Sequence, residues 1–318
     1  MSLAQLCKNT VRLLLLGILM VALLGAFGAT QPTLAAQDTP LRIVRNDGAL
    51  FDIKSSALPF SPSQAVTVAP ENLVNAEVGA KNLPPLGDLS PESVIGADGR
   101  TQITNTTVYP NSAIAHLEVD FPSGSGTCTG WFMSKNRLAT AGHCVYDAGA
   151  GEWATSITVY PGRNGGSAPF GSYTAGMGDL YTNTGWTGTG NPKYDYGLVK
   201  LGSDVGNTVG WFGYGWTSSD SFLLNRKSNV RGYPGDKSYG TLWTMKGKIQ
   251  TVQKTRLFYS IDTFGGQSGS PHYGKWSTFC NPCSFGIHTY GVGGSWTKNS
   301  STRITKRVFN FLGSAGNP

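Results

Sequence analysis

Two short runs hold side chains that could work together: Thr140-Ala141-Gly142-His143-Cys144 and Gly265-Gly266-Gln267-Ser268-Gly269-Ser270-Pro271. A serine hydroxyl attacks a carbonyl only when an imidazole takes its proton and a carboxylate orients that imidazole. The oxyanion that develops needs donors, which backbone N–H groups in a glycine-rich turn supply. Gly266 lets the chain turn so that its own N–H and that of Ser268 converge. Gly-x-Ser-Gly alone is a weak signal in a chain with 43 glycines. With the histidine run before it, the pair points to acyl transfer, His143 as base and Ser268 as nucleophile. The bland alternative is a core histidine and a turn serine. The residues alone leave the carboxylate open among Asp179, Asp195 and Asp204, any of which could be an ordinary turn aspartate.

Such groups must be held by a fold, and the composition restricts which. The chain has 318 residues, 39% hydrophobic and only 14% charged, with 43 glycines and 17 prolines. That suffices for a real core, with many turns and little helix. Short β-type runs at 113–119, 156–160, 196–201, 246–252, 257–261 and 285–289 predict an antiparallel barrel or sandwich. One helical run, 305–312, closes against Gly313. The formal charge of +7 attracts acidic partners but comes from scattered residues such as Arg226-Lys227, which read as a solvated surface.

Lys8 and Arg12 precede an apolar run from Leu13 to about Ala29, with small residues to Ala35-Ala36. This reads as a secretory signal peptide over 1–36, cut between 28 and 36, the alternative being an uncleaved anchor. Residues 37–92 read as a propeptide, broken by Pro59, Pro62, Pro70, Pro84 and Pro85 and free of cysteine and tryptophan; a flexible arm is the other reading. Cys7 leaves with the signal, so Cys128, Cys144, Cys280 and Cys283 remain in an exported chain. Disulfides are expected over zinc, although Cys280-x-x-Cys283 has ligand spacing. Four cysteines allow three pairings.

TAGHC followed by GGQSGSP resembles the chymotrypsin-like serine peptidases, in which His, Asp and Ser follow in that order. Within them the chain is similar to the bacterial glutamyl endopeptidases, especially the Bacillus type. The resemblance runs from Ser93 to about Phe311, through VIGADGRT at 94–101, NTVGWFGY at 207–214, GYPGDK at 232–237, DTFGGQSGSP at 262–271 and TRITKRVF at 302–309. It implies an all-β double antiparallel six-stranded barrel with a short C-terminal helix, one barrel over 93–205 and the other over 206–318. His143, Asp195 and Ser268 would form the triad, and Gly266 and Ser268 the oxyanion hole. Cys128 would pair with Cys144, and Cys280 with Cys283. The stretch 117–127 is longer than the corresponding turn of these relatives, so subsite preferences could differ. His116 and His272 read as structural.

The primary pocket is the harder question. Asp262 lies six residues before Ser268, the offset at which digestive trypsins place the aspartate that selects Arg or Lys. The resemblance instead puts His288 and Thr263 where glutamyl endopeptidases hold the substrate carboxylate, and the Bacillus-type ones keep an aspartate at the 262 offset. An imidazole N–H and a hydroxyl are apt donors for a buried carboxylate. Gln267 replaces the aspartate with which trypsins bind their new N-terminus. In the resembled family that amino group helps hold the glutamate, here from Ser93 or Val94. The proposed propeptide ends Pro91-Glu92, and beyond it lie only two glutamates, Glu118 and Glu152, against nine aspartates. The expectation is a secreted extracellular endopeptidase cutting after Glu and, less, Asp. It would be a monomer acting on polypeptides, without metal, cofactor, nucleic acid or membrane attachment after processing. The alternatives are Arg/Lys or broad specificity through Asp262, and an inactive peptidase-fold binding protein.

Overall fold

The computed structural model describes residues 40–54, 64–67, 73–74, 76–78, 82–86 and 93–317. The expected signal peptide, Cys7, much of the expected propeptide and Glu92 lie outside the described residues. Two nine-stranded sheets make the body of Leu41–Pro318. In the first, the strands follow the order Tyr173–Ala175, Ser156–Pro161, Ile114–Phe121, Gly124–Phe132, Arg137–Thr140, Gly197–Lys200, Leu180–Asn183, Arg42–Arg45 and Leu50–Asp52. The second runs through Thr251–Val252, Arg256–Tyr259, Asn299–Arg303, Cys283–Tyr290, Pro271–Gly274, Lys227–Gly232, Leu242–Lys248 and Thr101–Ile103. Gly213–Tyr214 joins Cys283–Tyr290 as a parallel pair; the other ladders are antiparallel. This is the chymotrypsin-like fold, with strands added at the sheet edges to the six expected for each barrel.

The expected strands occur with shifted ends. The 246–252 run divides into the end of Leu242–Lys248 and Thr251–Val252, with Ile249 buried between them. The long stretch 117–127 is a hairpin, Phe121 facing Gly124 and Pro122-Ser123 making the turn. The C-terminal helix, Lys306–Ser314, starts at the Thr305 cap and continues past Gly313. Its Val308, Phe311 and Leu312 pack in one hydrophobic cluster with Leu117, Leu138 and Leu198 of the first sheet and Ile287 of the second. Burying each such side chain is worth about 1.5–3 kcal/mol.

The N-terminal segment holds more structure than its sequence suggested. Arg42–Arg45 and Leu50–Asp52 form a hairpin whose turn places Gly48 at φ 87°, and Ile43 enters the core at 1% exposure. The Asp47-Gly48 pair is the local signal for it. Among the described residues no helix is long and apolar enough to cross a membrane.

Candidate active site

The strand Arg137–Thr140 is buried throughout and ends in a tight turn, Gly142–Cys144, that carries His143. A Cβ on Gly142 would stand 2.9 Å from Asp195 Oδ1 and 3.0 Å from the Tyr196 nitrogen, so only glycine lets the two segments close. Cys144 is bonded to Cys128 of the neighbouring strand, which fixes the far side of His143. Cys280 is bonded to Cys283.

Asp195 arrives from another turn, Pro192–Tyr194, whose cap Asn191 accepts a hydrogen bond from Lys193 N at 3.1 Å. Its carboxylate is fully buried. Oδ1 accepts the His143 backbone N–H at 3.0 Å, and Oδ2 lies 2.8 Å from His143 Nδ1. Burial alone would raise the Asp195 carboxyl, but the His143 charge and hydrogen bonds, with the neighbouring Tyr290 hydroxyl, bring it below the usual carboxylate value. An ionised carboxylate only accepts, which places the ring proton on His143 Nδ1 and leaves an unprotonated lone pair on Nε2. Asp179 and Asp204 serve elsewhere: Asp179 caps Gly176 N at 3.0 Å, and Asp204 pairs with Lys135 at 3.0 Å.

Ser268 lies between the strands Arg256–Tyr259 and Pro271–Gly274 of the second sheet, in a turn fastened at every residue. Gln267 N donates to Phe264 O, and the Gln267 side chain accepts from Phe264 N at 3.1 Å. Gly269 N donates to His288 O at 2.7 Å, and Thr129 N to Ser268 O at 2.8 Å. Thr129 Oγ1 donates to Gly266 O at 2.9 Å, turning that carbonyl towards the first sheet. Gly266 and Gly269 sit at φ 96° and 90°, in the region that favours glycine. A Cβ on Gly269 would fall 2.0 Å from the Thr129 carbonyl oxygen, so Gly269→Ala is expected to abolish folding or cost several kcal/mol, read by soluble yield and thermal unfolding.

Beside this turn lie the residues expected to hold a substrate side chain. His288 and Thr263 are fully buried. His288 Nδ1 is 2.6 Å from the Tyr259 hydroxyl and 3.1 Å from Ser300 O. When Tyr259 donates to Nδ1, Nε2 carries the ring proton and becomes a donor. Thr263 Oγ1 has no hydrogen-bond partner among the described residues, a buried hydroxyl able to bond a ligand. Ser93 stands next to it: its carbonyl accepts from Thr263 N at 3.2 Å and from Asn299 Nδ2 at 2.6 Å, while its own N–H donates to Asn299 Oδ1 at 3.1 Å. Asn299, which anchors Ser93, carries no signature in sequence.

Asp262 faces away from a substrate-binding role. Its Oδ1 accepts from Ile95 N and its Oδ2 from Gly99 N, each at 2.8 Å, and it is 2% exposed. Both oxygens are engaged with the 95–99 segment. Asp262→Asn is therefore expected to loosen that segment and lower stability by about 2–3 kcal/mol, measured by denaturant unfolding, without a gain or loss of cleavage after Arg.

His116 and His272 lie inside the two sheets. His272 is held between the Ser301 and Ser228 hydroxyls, both at 2.9 Å. Burial, then the neighbouring His288, pushes it down to about 3. Burial and the Arg163 charge hold His116 well below its ordinary value. Unfolded histidines bind protons near pH ~6.5 and these two do not, so their stability contribution is whole above that pH. It is lost as pH falls towards the folded values, on the order of 3 kcal/mol for His272 by roughly pH 4. A His272→Gln variant should show a flatter acid limb in stability measured against pH.

A final segment crosses the cleft. Pro84 O accepts from Thr127 N at 2.7 Å and Leu86 N donates to Thr127 O at 3.0 Å, beside Cys128. The Pro85 ring packs on Gly235 and Gly265, where a Cβ would approach it to 3.2 and 2.9 Å.

A buried aspartate–histidine pair from one sheet, facing a serine turn from the other, defines a serine peptidase of chymotrypsin-like fold. The trypsin family's profile matches residues 103–311, and the chain belongs to that family and is a serine endopeptidase acting on polypeptides. It is 45% identical to the glutamyl endopeptidase of Bacillus licheniformis over 239 residues, 74% of this chain and 73% of that one. It is 44% identical to a Bacillus subtilis protein named extracellular metalloprotease, covering 70% of each. A solved glutamyl endopeptidase in complex with MPD superposes with a TM-score of 0.61 at 33% identity, covering 69% of this chain and 97% of that one. The second name invokes a metal, and the residues gathered around His143 among the described residues do not fit one. Cys128, His143 and Cys144 bring donor atoms within 4.8 Å of one another, but the two sulfurs are bonded together and His143 Nδ1 is engaged by Asp195.

Proposed function

We propose that this peptidase cuts after glutamate, and less readily after aspartate, through an acyl-enzyme on Ser268. The observation that carries the specificity is the division of labour in the pocket. The acidic residue that would select Arg or Lys, Asp262, spends both oxygens on backbone N–H groups, while the Thr263 hydroxyl, beside His288 and Ser93, is unbonded among the described residues. A glutamate carboxylate entering there meets a hydroxyl, an imidazole and, after maturation, the new amino group at Ser93. His143 Nε2 takes the Ser268 proton as the hydroxyl attacks and then passes it to the leaving amine. The N–H groups of Gly266 and Ser268 hold the oxyanion.

The mature enzyme is a secreted monomer released from its precursor by cleavage after Glu92, with one barrel over 93–205 and the other over 206–318, except that Thr101–Ile103 joins the second sheet. The pairing of Pro84 and Leu86 with Thr127, while Pro85 packs on Gly265 beside the Ser268 turn, supports the reading of this segment as part of a propeptide. A Ser268→Ala precursor made in a host without related peptidases is expected to stay uncut at Glu92, checked by intact mass; normal maturation would assign the cut to another protease. Specificity is tested by profiling the mature enzyme on a mixed peptide library at neutral pH. Cleavage after Glu that relaxes in His288→Ala supports the pocket, whereas cleavage after Arg or Lys returns it to Asp262.

A further inference from the structure

Arg256 is a buried cation that the reading so far leaves without work. It opens the strand Arg256–Tyr259 and is 4% exposed. Each comparable arginine has its compensation. Arg100 meets Asp98 and Asp236, Arg163 meets Glu118, Arg303 meets Asp220, and Arg137 takes the carbonyls at the end of the C-terminal helix. Arg256 is bonded to no carboxylate among the described residues. Its Nη2 donates to Thr289 Oγ1 at 2.8 Å and Ser300 Oγ at 2.7 Å, its Nη1 donates to Pro192 O at 3.1 Å, and its Nε has no partner. The guanidinium stacks on Tyr290 and Trp296, 4.8 and 4.7 Å from the ring centres. Burial lowers it to about 10, so it stays charged at neutral pH. An uncompensated buried charge is costly, and its retention needs a reason.

Two hydrogen-bonded routes and one electrostatic one lead from Arg256 to Asp195. The Pro192 carbonyl it holds also accepts the Asp195 N–H, at 3.3 Å. Thr302, its partner across the ladder, donates to Asp195 O at 2.9 Å. Tyr290, under its guanidinium, is kept protonated first by burial and then by the Asp195 charge. Asp195 belongs to the first sheet and Arg256 to the second, so Arg256 reaches across to the turn that presents the carboxylate.

We propose that Arg256 is a positioning residue of the triad: it grips the 192–195 turn from the opposite sheet and sets a positive charge behind Asp195. The inference rests on the reading of His143, Asp195 and Ser268 as the triad. With the grip in place, Asp195 keeps both oxygens on His143 while the imidazolium forms. Without it the turn is free to drift, and a shift of about 1 Å in a catalytic group costs about 100-fold in rate.

The test uses the mature enzyme, with kcat, KM and the downfield proton NMR signal of His143 Nδ1–H. R256Q is expected to lower kcat about 100-fold with KM within about threefold, and to weaken or move that signal. R256K, which keeps the charge, should recover kcat to within about tenfold of wild type. A folded R256Q with full kcat and an unmoved signal would overturn the proposal. So would a change confined to KM or to preference for Glu over Gln, which would place Arg256 in the substrate pocket instead. If R256Q does not fold, R256K and Y290F decide: full kcat and an unmoved signal in both overturn it, and a partial fall in kcat with a shifted signal supports it. Failure of the triad reading is separately visible, as absence of fluorophosphonate labelling at Ser268 in the wild type.

Discussion

Asp195→Asn is expected to lower kcat by about 10,000-fold with KM changed only a fewfold, in an enzyme that remains folded. The size follows from the two hydrogen bonds. The His143 backbone N–H donates to Oδ1 at 3.0 Å and cannot do otherwise, so the asparagine must turn its oxygen towards it. Its NH2 group then faces His143 Nδ1, 2.8 Å from the present Oδ2. A donor facing Nδ1 forces the imidazole to accept there and to carry its proton on Nε2. An Nε2–H cannot take the proton of Ser268, and the base is lost although every atom stays in place. Ser268→Ala should lose more, together with fluorophosphonate labelling. Steady-state kinetics on a glutamyl peptide, with thermal unfolding as the control for folding, measure both. An unchanged kcat in Asp195→Asn would remove Asp195 from the triad.

The parts of this molecule that sequence made legible are those whose chemistry demands contiguous residues. A serine in a turn of glycines at positive φ has to be written as Gly-x-Ser-Gly, and the close approach of Asp195 has to leave a glycine before His143. Strands such as Ser156–Pro161 were visible because their buried residues are apolar and β-branched. The carboxylate was not, because nothing local separates Asp195 from Asp179; only the resemblance distinguished them. Asn299 and Arg256 were invisible for the same reason. The strand Asn299–Arg303 is wholly buried yet reads Asn-Ser-Ser-Thr-Arg, polar at each position, because its side chains bond across to Ser93, Arg256, Asp195 and His272. Hydrophobic patterning has no means of finding such a strand. The hairpin at Arg42–Asp52 is hard to read although Asp47-Gly48 marks its turn, since its outer strand, Leu-Phe-Asp, is exposed at every position and shows no in–out alternation.

Glu118→Ala is expected to destabilise the protein by about 3–5 kcal/mol, the usual cost of removing one member of a buried ion pair. Glu118 and Arg163 are 2% and 1% exposed and meet at 2.8 Å. Around them Tyr239 donates to the same carboxylate at 2.9 Å and Tyr160 at 3.2 Å, and the guanidinium lies 4.7 and 4.9 Å from the centres of these two rings. Without the carboxylate, Arg163 is a charge in a dry site with two phenols bereft of an acceptor. A Glu118→Leu, Arg163→Met double variant should recover much of the loss, because it buries neither charge. Denaturant unfolding of the single and double variants measures the coupling, and a single variant within about 1 kcal/mol of wild type would show that water enters the site freely. The cluster also bears on activity. Glu118 and Tyr160 belong to the first sheet, whereas Tyr239 belongs to the loop leading into the strand Leu242–Lys248 of the second, and Gly165 N donates to Gly240 O at 2.9 Å close by. His143 and Asp195 ride on one of these sheets and Ser268 on the other. A clamp between the sheets, set away from these residues, therefore fixes how Ser268 faces His143. In Glu118→Ala, kcat should begin to fall on heating before global unfolding sets in.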